Sequence, residues 1–154
     1  MTDAPLHAIV EFSRRWPVRT YEVDENGHVN NAVYLQWAEQ LTAEHAEAIG
    51  VGREWCLARG RAWLVRSHQI TYHLPARRAD EIELTVRVLG VGGVRGRRRT
   101  EFRRAADGAL LAEVTSEWVW VALADGRPTR VPPELVQAFS PRNDDGGGGG
   151  GGGA

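Results

Sequence analysis

A chain of 154 residues with 42% hydrophobic side chains has material for one globular domain with a sizeable core, and too little for two ordinary ones. Its formal net charge is −1 and all 19 cationic side chains are arginine, so the molecule as a whole lacks the basic field that drives non-specific nucleic-acid binding. The lone cysteine, Cys56, excludes an intramolecular disulfide; no apolar run approaches the roughly eighteen residues of a membrane span, and residues 1–15 (MTDAPLHAIVEFSRR) lack the apolar core of a signal peptide, so a soluble, cytoplasmic protein is the expectation.

Residues 9–23 (IVEFSRRWPVRTYEV) mix β-branched and aromatic side chains around Pro17 and predict a first strand, strongest from Val18 to Val23, with Asp24 at its end. From Asn31 the periodicity changes. Tyr34, Trp37, Ala38, Leu41, His45, Ala48 and Ile49 recur at helical spacing, predicting an amphipathic helix over residues 31–49, capped by Asn30 or Asn31 and stopped at Gly50. Residues 52–60 (GREWCLARG) can add one or two further helical turns, and Ala62 to Leu74 reads as a strand ending at Pro75. In Glu81–Val88 polar and apolar residues alternate strictly, which buries one face of a strand. Val94 to Arg104 and Ala109 to Leu123 are two more strands joined around Asp107-Gly108, a hairpin signal, and Asp125-Gly126 marks another turn.

One strand, one long helix and four strands in meander-like succession contain no βαβ alternation. The prediction is α+β: one antiparallel sheet of about five strands burying its apolar face on one helix. The domain spans residues 1–140, and the Gly-rich residues 141–154, with no side chains to build a core, are expected to form a disordered tail.

Residues 24–31 (DENGHVNN) concentrate acids, amides, a glycine and a histidine where the first strand stops and the helix begins. The plainest reading is a turn with a helix cap, Gly27 supplying a positive φ. Placement supports a second. A carboxylate at a strand end faces the N–H groups that open a long helix, where the dipole favours negative charge. Those amides can hold a carbonyl oxygen while Asp24 attacks the carbon or activates a water, with Asn26 and His28 positioning that water or the carboxylate.

Residues 24–37 (DENGHVNNAVYLQW) resemble the signature segment of hotdog-fold thioesterases, both the 4-hydroxybenzoyl-CoA thioesterase-like enzymes and the acyl-(acyl-carrier-protein) thioesterases. The second group carries a close variant of D-x-N-x-H-V-N-N-x-x-Y. Residues 70–76 (ITYHLPA) with Asp80, the Asp107-Gly108 turn, and Arg127-Pro128 leading to residues 131–135 (VPPEL) agree, so the resemblance spans about residues 10 to 138. It implies a hotdog fold, a five-stranded antiparallel sheet wrapped around the helix, and a homodimer or dimer of dimers (a homotetramer) with active sites at the subunit interface. The implied reaction is hydrolysis of an acyl-CoA or acyl-carrier-protein thioester to free acid and thiol, without metal or redox cofactor, membrane or nucleic acid.

By that resemblance Asp24 matches the nucleophile or general base, Asn26 and His28 the amide and imidazole of the carrier-protein group, and the N–H of Asn31 the donor that polarises the thioester carbonyl. Gly27 and Tyr34 of the same segment are expected beside the substrate. The carrier-protein enzymes' downstream cysteine has no counterpart, since Cys56 lies too early, so a covalent thiol mechanism is not expected. Another hotdog subgroup places a catalytic carboxylate on the helix, where Glu39 lies, although an ordinary polar helix position is the favoured reading of Glu39. The tryptophans read mostly as core or interface, with Trp55 and Trp63 as candidate walls of an acyl pocket. Arg95, Arg97 and Arg99 share a strand face and suit a phosphate-bearing ligand such as coenzyme A, or else a solvated edge or subunit contact. His68 and His73 have no metal-like spacing and read as structural. The rival functions are a hotdog hydratase or dehydratase and a protein that binds acyl thioesters without turnover.

Overall fold

The computed structural model describes residues 10–139, so the Gly-rich tail expected at 141–154 lies outside the described residues. The chain runs β1 (Glu11–Pro17), a 3-10 turn (Thr20–Glu22), α1 (Val33–Ile49), α2 (Arg53–Ala58), β2 (Arg61–Tyr72), β3 (Glu81–Gly92), β4 (Arg95–Arg104), β5 (Leu110–Ala122) and α3 (Pro133–Ala138). The strands form one five-stranded antiparallel sheet in the order β1-β3-β4-β5-β2, with α1 against its inner face. This is the expected α+β hotdog arrangement.

Alternation along β3 does what its sequence predicts: Ile82, Leu84 and Val86 are fully buried between α1 and the sheet. Across from them the register brings Phe12 and Phe102 to the same face, and α1 adds Tyr34, Trp37, Ala38 and Leu41. Each fully buried aliphatic side chain here contributes about 1.5–3 kcal/mol. The helix begins at Val33 with Ala32 as its N-cap, not Asn30 or Asn31 as expected; Asn30 instead braces the turn before it, its side-chain oxygen accepting the Ala32 N–H at 3.0 Å and its carbonyl accepting the Val33 N–H at 2.9 Å. Gly50, at φ 87°, ends it.

Two further expectations are corrected. The first strand is Glu11–Pro17, and Val18 to Val23, expected to be its strongest part, is not strand. Pro17 pairs with Glu81, the first residue of β3, so beyond it no neighbouring strand remains to bond. The chain curls instead into the 3-10 turn, with the Arg19 N–H on the Glu22 carboxylate at 2.8 Å and Tyr21 turned to solvent. The strands after the helix are also not one meander. Only β3, β4 and β5 are; β2 lies at the far edge against β5, because α1 crosses the sheet and α2 delivers the chain there. The return connection then crosses back and docks on the polar loop through Val29 N–H to Ala76 O (2.8 Å) and Arg78 N–H to Gly27 O (3.2 Å).

Candidate active site

The polar segment closes on itself as a short hairpin between Val23 and Val29. Asp24 organises it: Oδ1 accepts the N–H groups of Asn26 (2.9 Å) and His28 (3.1 Å), while its backbone carbonyl accepts the Gly27 N–H (3.0 Å). Gly27 adopts φ 75°, the left-handed turn conformation its type makes easy. Oδ2 of Asp24 has no partner among the described residues, so one carboxylate oxygen is held and the other is open. The segment is pinned to the helix from below. Glu22, 6% exposed, accepts the Trp37 indole N–H at 2.7 Å, and its carbonyl accepts the Asn30 N–H at 2.9 Å.

Asp24, His28, Asn31 and Tyr34 line one pocket of about 370 Å³, closed on its far side by Tyr72, His73 and Leu74. The Asn31 N–H, two residues before the first residue of α1, has no acceptor among the described residues, while its carbonyl accepts the Tyr72 hydroxyl at 2.8 Å. Tyr34 is buried and its hydroxyl accepts the Ala76 N–H at 3.3 Å. Burial pushes its phenol above the usual range, against the opposing effect of that N–H, so it stays protonated at neutral pH. The pocket therefore presents an open carboxylate oxygen, an unengaged N–H at a helix N-terminus and a histidine, the elements needed to attack and polarise one carbonyl.

A second cavity, about 400 Å³, lies along the C-terminal half of α1, between α1, α2, β2, β3, β4 and β5. Trp63 and Trp118 wall it, with Ala43, Ala46 and Cys56 opposite. Gly96 fits closely there, since a Cβ would lie 3.3 Å from the Trp63 ring, tight enough that the ring would have to give a little. Glu39 also lines it, 3.5 Å from Nε2 of His68, whose Nδ1 lies 2.7 Å from Ser116 Oγ. Burial pushes the Cys56 thiol up, more than nearby Arg59 lowers it, which makes it a poor thiolate.

The predicted residues thus divide between the two pockets. Asp24, His28, Asn31 and Tyr34 meet in the first. Asn26 and Gly27 serve the turn through their backbone and do not line it. Trp63 and Arg97 line the second, whereas Trp55 lines neither and stands behind, its ring 6.3 Å from that of Trp120. Arg95 pairs with Glu117 and Arg99 with Glu113, so two of the three arginines on that face are already neutralised on the sheet, and Arg99 reaches neither pocket. Tyr72 and Arg98 escaped the sequence reading. Strand alternation held a signal for Arg98, since it puts that residue on the face opposite Arg97 and Arg99, with Gly96 and Thr100. Among the described residues no group of three His, Cys, Asp or Glu side chains could hold a metal ion, and no helix is long and apolar enough to cross a membrane.

Fold and site together define the class, a hotdog domain with a thioesterase-type loop at the start of its central helix. The match to the thioesterase-like superfamily model covers residues 18–139, and the chain belongs to that superfamily. It is 31% identical over 78 residues to the acyl-acyl carrier protein thioesterase ATL3, chloroplastic, of Arabidopsis thaliana (51% of this chain, 41% of that protein). It is 30% identical over 81 residues to the acyl-CoA thioester hydrolase YbgC of Escherichia coli O157:H7 (51% of this chain, 60% of that protein). The matched segments thus span only about half the length of these relatives. The structure of Slr0204, a 1,4-dihydroxy-2-naphthoyl-CoA thioesterase from Synechocystis, superposes with a TM-score of 0.77 over 84% of this chain and 95% of that one, at 18% identity, a likeness of fold.

Proposed function

We propose that this protein is an acyl thioesterase that hydrolyses an acyl-CoA or acyl-carrier-protein thioester. The observation that carries the reading is the pairing, in one pocket, of the open Asp24 Oδ2 with the unengaged Asn31 N–H at the start of α1. The N–H holds the thioester oxygen as negative charge develops on it, and Asp24 either takes a proton from an attacking water or attacks the carbonyl carbon itself, expelling the thiolate and forming an anhydride that water then hydrolyses to the free acid and the restored carboxylate. His28 positions that water, and the thiol leaves with a proton returned from the site or solvent.

The active unit in this proposal is a dimer formed along β2. That strand is a sheet edge with Leu64, Val65 and Tyr72 exposed, a surface suited to pairing with a second copy. Antiparallel self-pairing sets the Tyr72 end of one β2 beside the Arg61 end of the other, bringing the polar pocket of one copy toward the apolar cavity of its partner. Water attacks at the first while the acyl chain lies in the second.

Thiol release from short, long and aromatic acyl-CoA esters by wild type and Asp24→Asn tests the reaction. Turnover that falls sharply in a folded mutant supports it, and no turnover on CoA or carrier-protein esters leaves a non-catalytic binder. A second reading has one specific observation behind it: Glu39, beside His68 in the apolar cavity, supplies the carboxylate instead. In that case Glu39→Gln abolishes turnover and Asp24→Asn does not.

A further inference from the structure

The apolar cavity contains a charge that thioester hydrolysis does not require. Arg98, on the inner face of β4, is only 8% exposed and lines the cavity. Removing a cation from water is costly unless a counter-ion compensates, and buried arginines usually face a carboxylate. Arg98 faces none among the described residues. Its Nη1 donates to His45 Nδ1 at 2.9 Å, which makes that imidazole neutral, and its guanidinium lies 4.7 Å over the Phe139 ring. Burial lowers the guanidinium to about 10, so it remains charged at neutral pH.

The buried side-chain polar atoms without a partner among the described residues are His68 Nε2, Trp118 Nε1 and Thr129 Oγ1, and no Arg98 nitrogen is among them. Nη1 is the Arg98 nitrogen with a hydrogen-bond acceptor among the described residues, and Arg98 lines the cavity. Trp118, in the same wall, holds its indole N–H without an acceptor. Arg53, Arg61 and Arg97 line the cavity as well, against the single carboxylate of Glu39, which is half exposed and turned to His68. The field inside favours an anion, while the aromatic and aliphatic walls favour methylenes.

We propose that this cavity takes an acyl chain ending in a carboxylate, with Arg98 as its counter-ion. The site is thus selective for ω-carboxyacyl thioesters over plain fatty acyl thioesters of equal length. This deepens the thioesterase reading and rests on it for the reaction, although binding can be tested without turnover.

The experiment is calorimetric titration of wild type, Arg98→Met and Arg98→Lys with two non-hydrolysable CoA thioethers of equal chain length, one ending in methyl and one in carboxylate, and with CoA itself. Wild type is expected to bind the carboxylate-tipped thioether about tenfold or more tighter than its methyl partner, Arg98→Met to lose that preference, and Arg98→Lys to retain part of it. Equal or weaker binding of the tipped thioether by wild type, a result that needs no variant to fold, overturns the proposal. So does an Arg98→Met variant that loses affinity for CoA alone by the same factor, since the anion recognised is then a CoA phosphate. Thioether binding with the expected preference but no ester hydrolysis leaves this proposal standing and removes the thioesterase reading alone.

Discussion

The two ends of α1 carry pockets of nearly equal volume, about 370 and 400 Å³, built in opposite ways. The one at the N-terminus is polar and is held by backbone hydrogen bonds within residues 22–31 and by the connection 72–76 that crosses it. The one beside the C-terminal half is mostly apolar and draws its walls from two helices and four strands. The difference teaches a division of labour. A reacting carbonyl needs atoms placed to a few tenths of an ångström, which a locally bonded loop at a helix end supplies. An acyl chain needs volume and shape, which distant side chains packed around a gap supply.

Asp24→Asn should break the polar end with the largest effect. Asn can still accept the N–H groups of Asn26 and His28 through its amide oxygen, so the loop should persist while kcat/KM falls by roughly a hundredfold or more. Steady-state thiol release beside a circular-dichroism melt checks both halves. Next comes the anchor beneath that loop. Trp37→Phe removes the donor to the Glu22 carboxylate, 6% exposed, and should lower urea-unfolding stability by about 2–3 kcal/mol. A loss below about 0.5 kcal/mol would mean that Arg19, 3.6 Å from the same carboxylate, holds it adequately alone.

At the apolar end Gly96→Ala should act on selectivity rather than chemistry. The new methyl meets the Trp63 ring at 3.3 Å and drives it into the cavity, so long or aromatic acyl esters should lose about threefold to tenfold in kcat/KM while the shortest lose little. Uniform loss across the ester panel would show that the acyl chain does not lie there. The smallest effect is expected from Cys56→Ala. The thiol lines the same cavity but is pushed up by burial, so turnover should stay within about twofold, and native protein should resist alkylation at pH 8. Rapid alkylation with loss of activity would place a reacting group in the wrong pocket.

Much of this was written along the chain. Helical spacing from Tyr34 to Ile49, strict alternation from Glu81 to Val88 and the turn chemistry of Asp24, Gly27 and Asn30 depend on neighbours a few residues away, and each appears where periodicity puts it. The polar pocket was legible for the same reason, because its key groups lie within eleven residues, from Asp24 to Tyr34. What tertiary structure alone decided was pairing. Val18 to Val23 has strand-like composition but no strand beside it, and β2 follows the helices in sequence yet bonds to β5 at the far edge. Arg98 shows the limit most sharply: alternation sets it on the face opposite Arg97 and Arg99, but that this face is the buried one, and so its contact with His45, depends on α1 packing across β4. Local spacing determines which residues can share a face, whereas the burial of a face, and so its chemistry, depends on elements that the chain brings together from far apart.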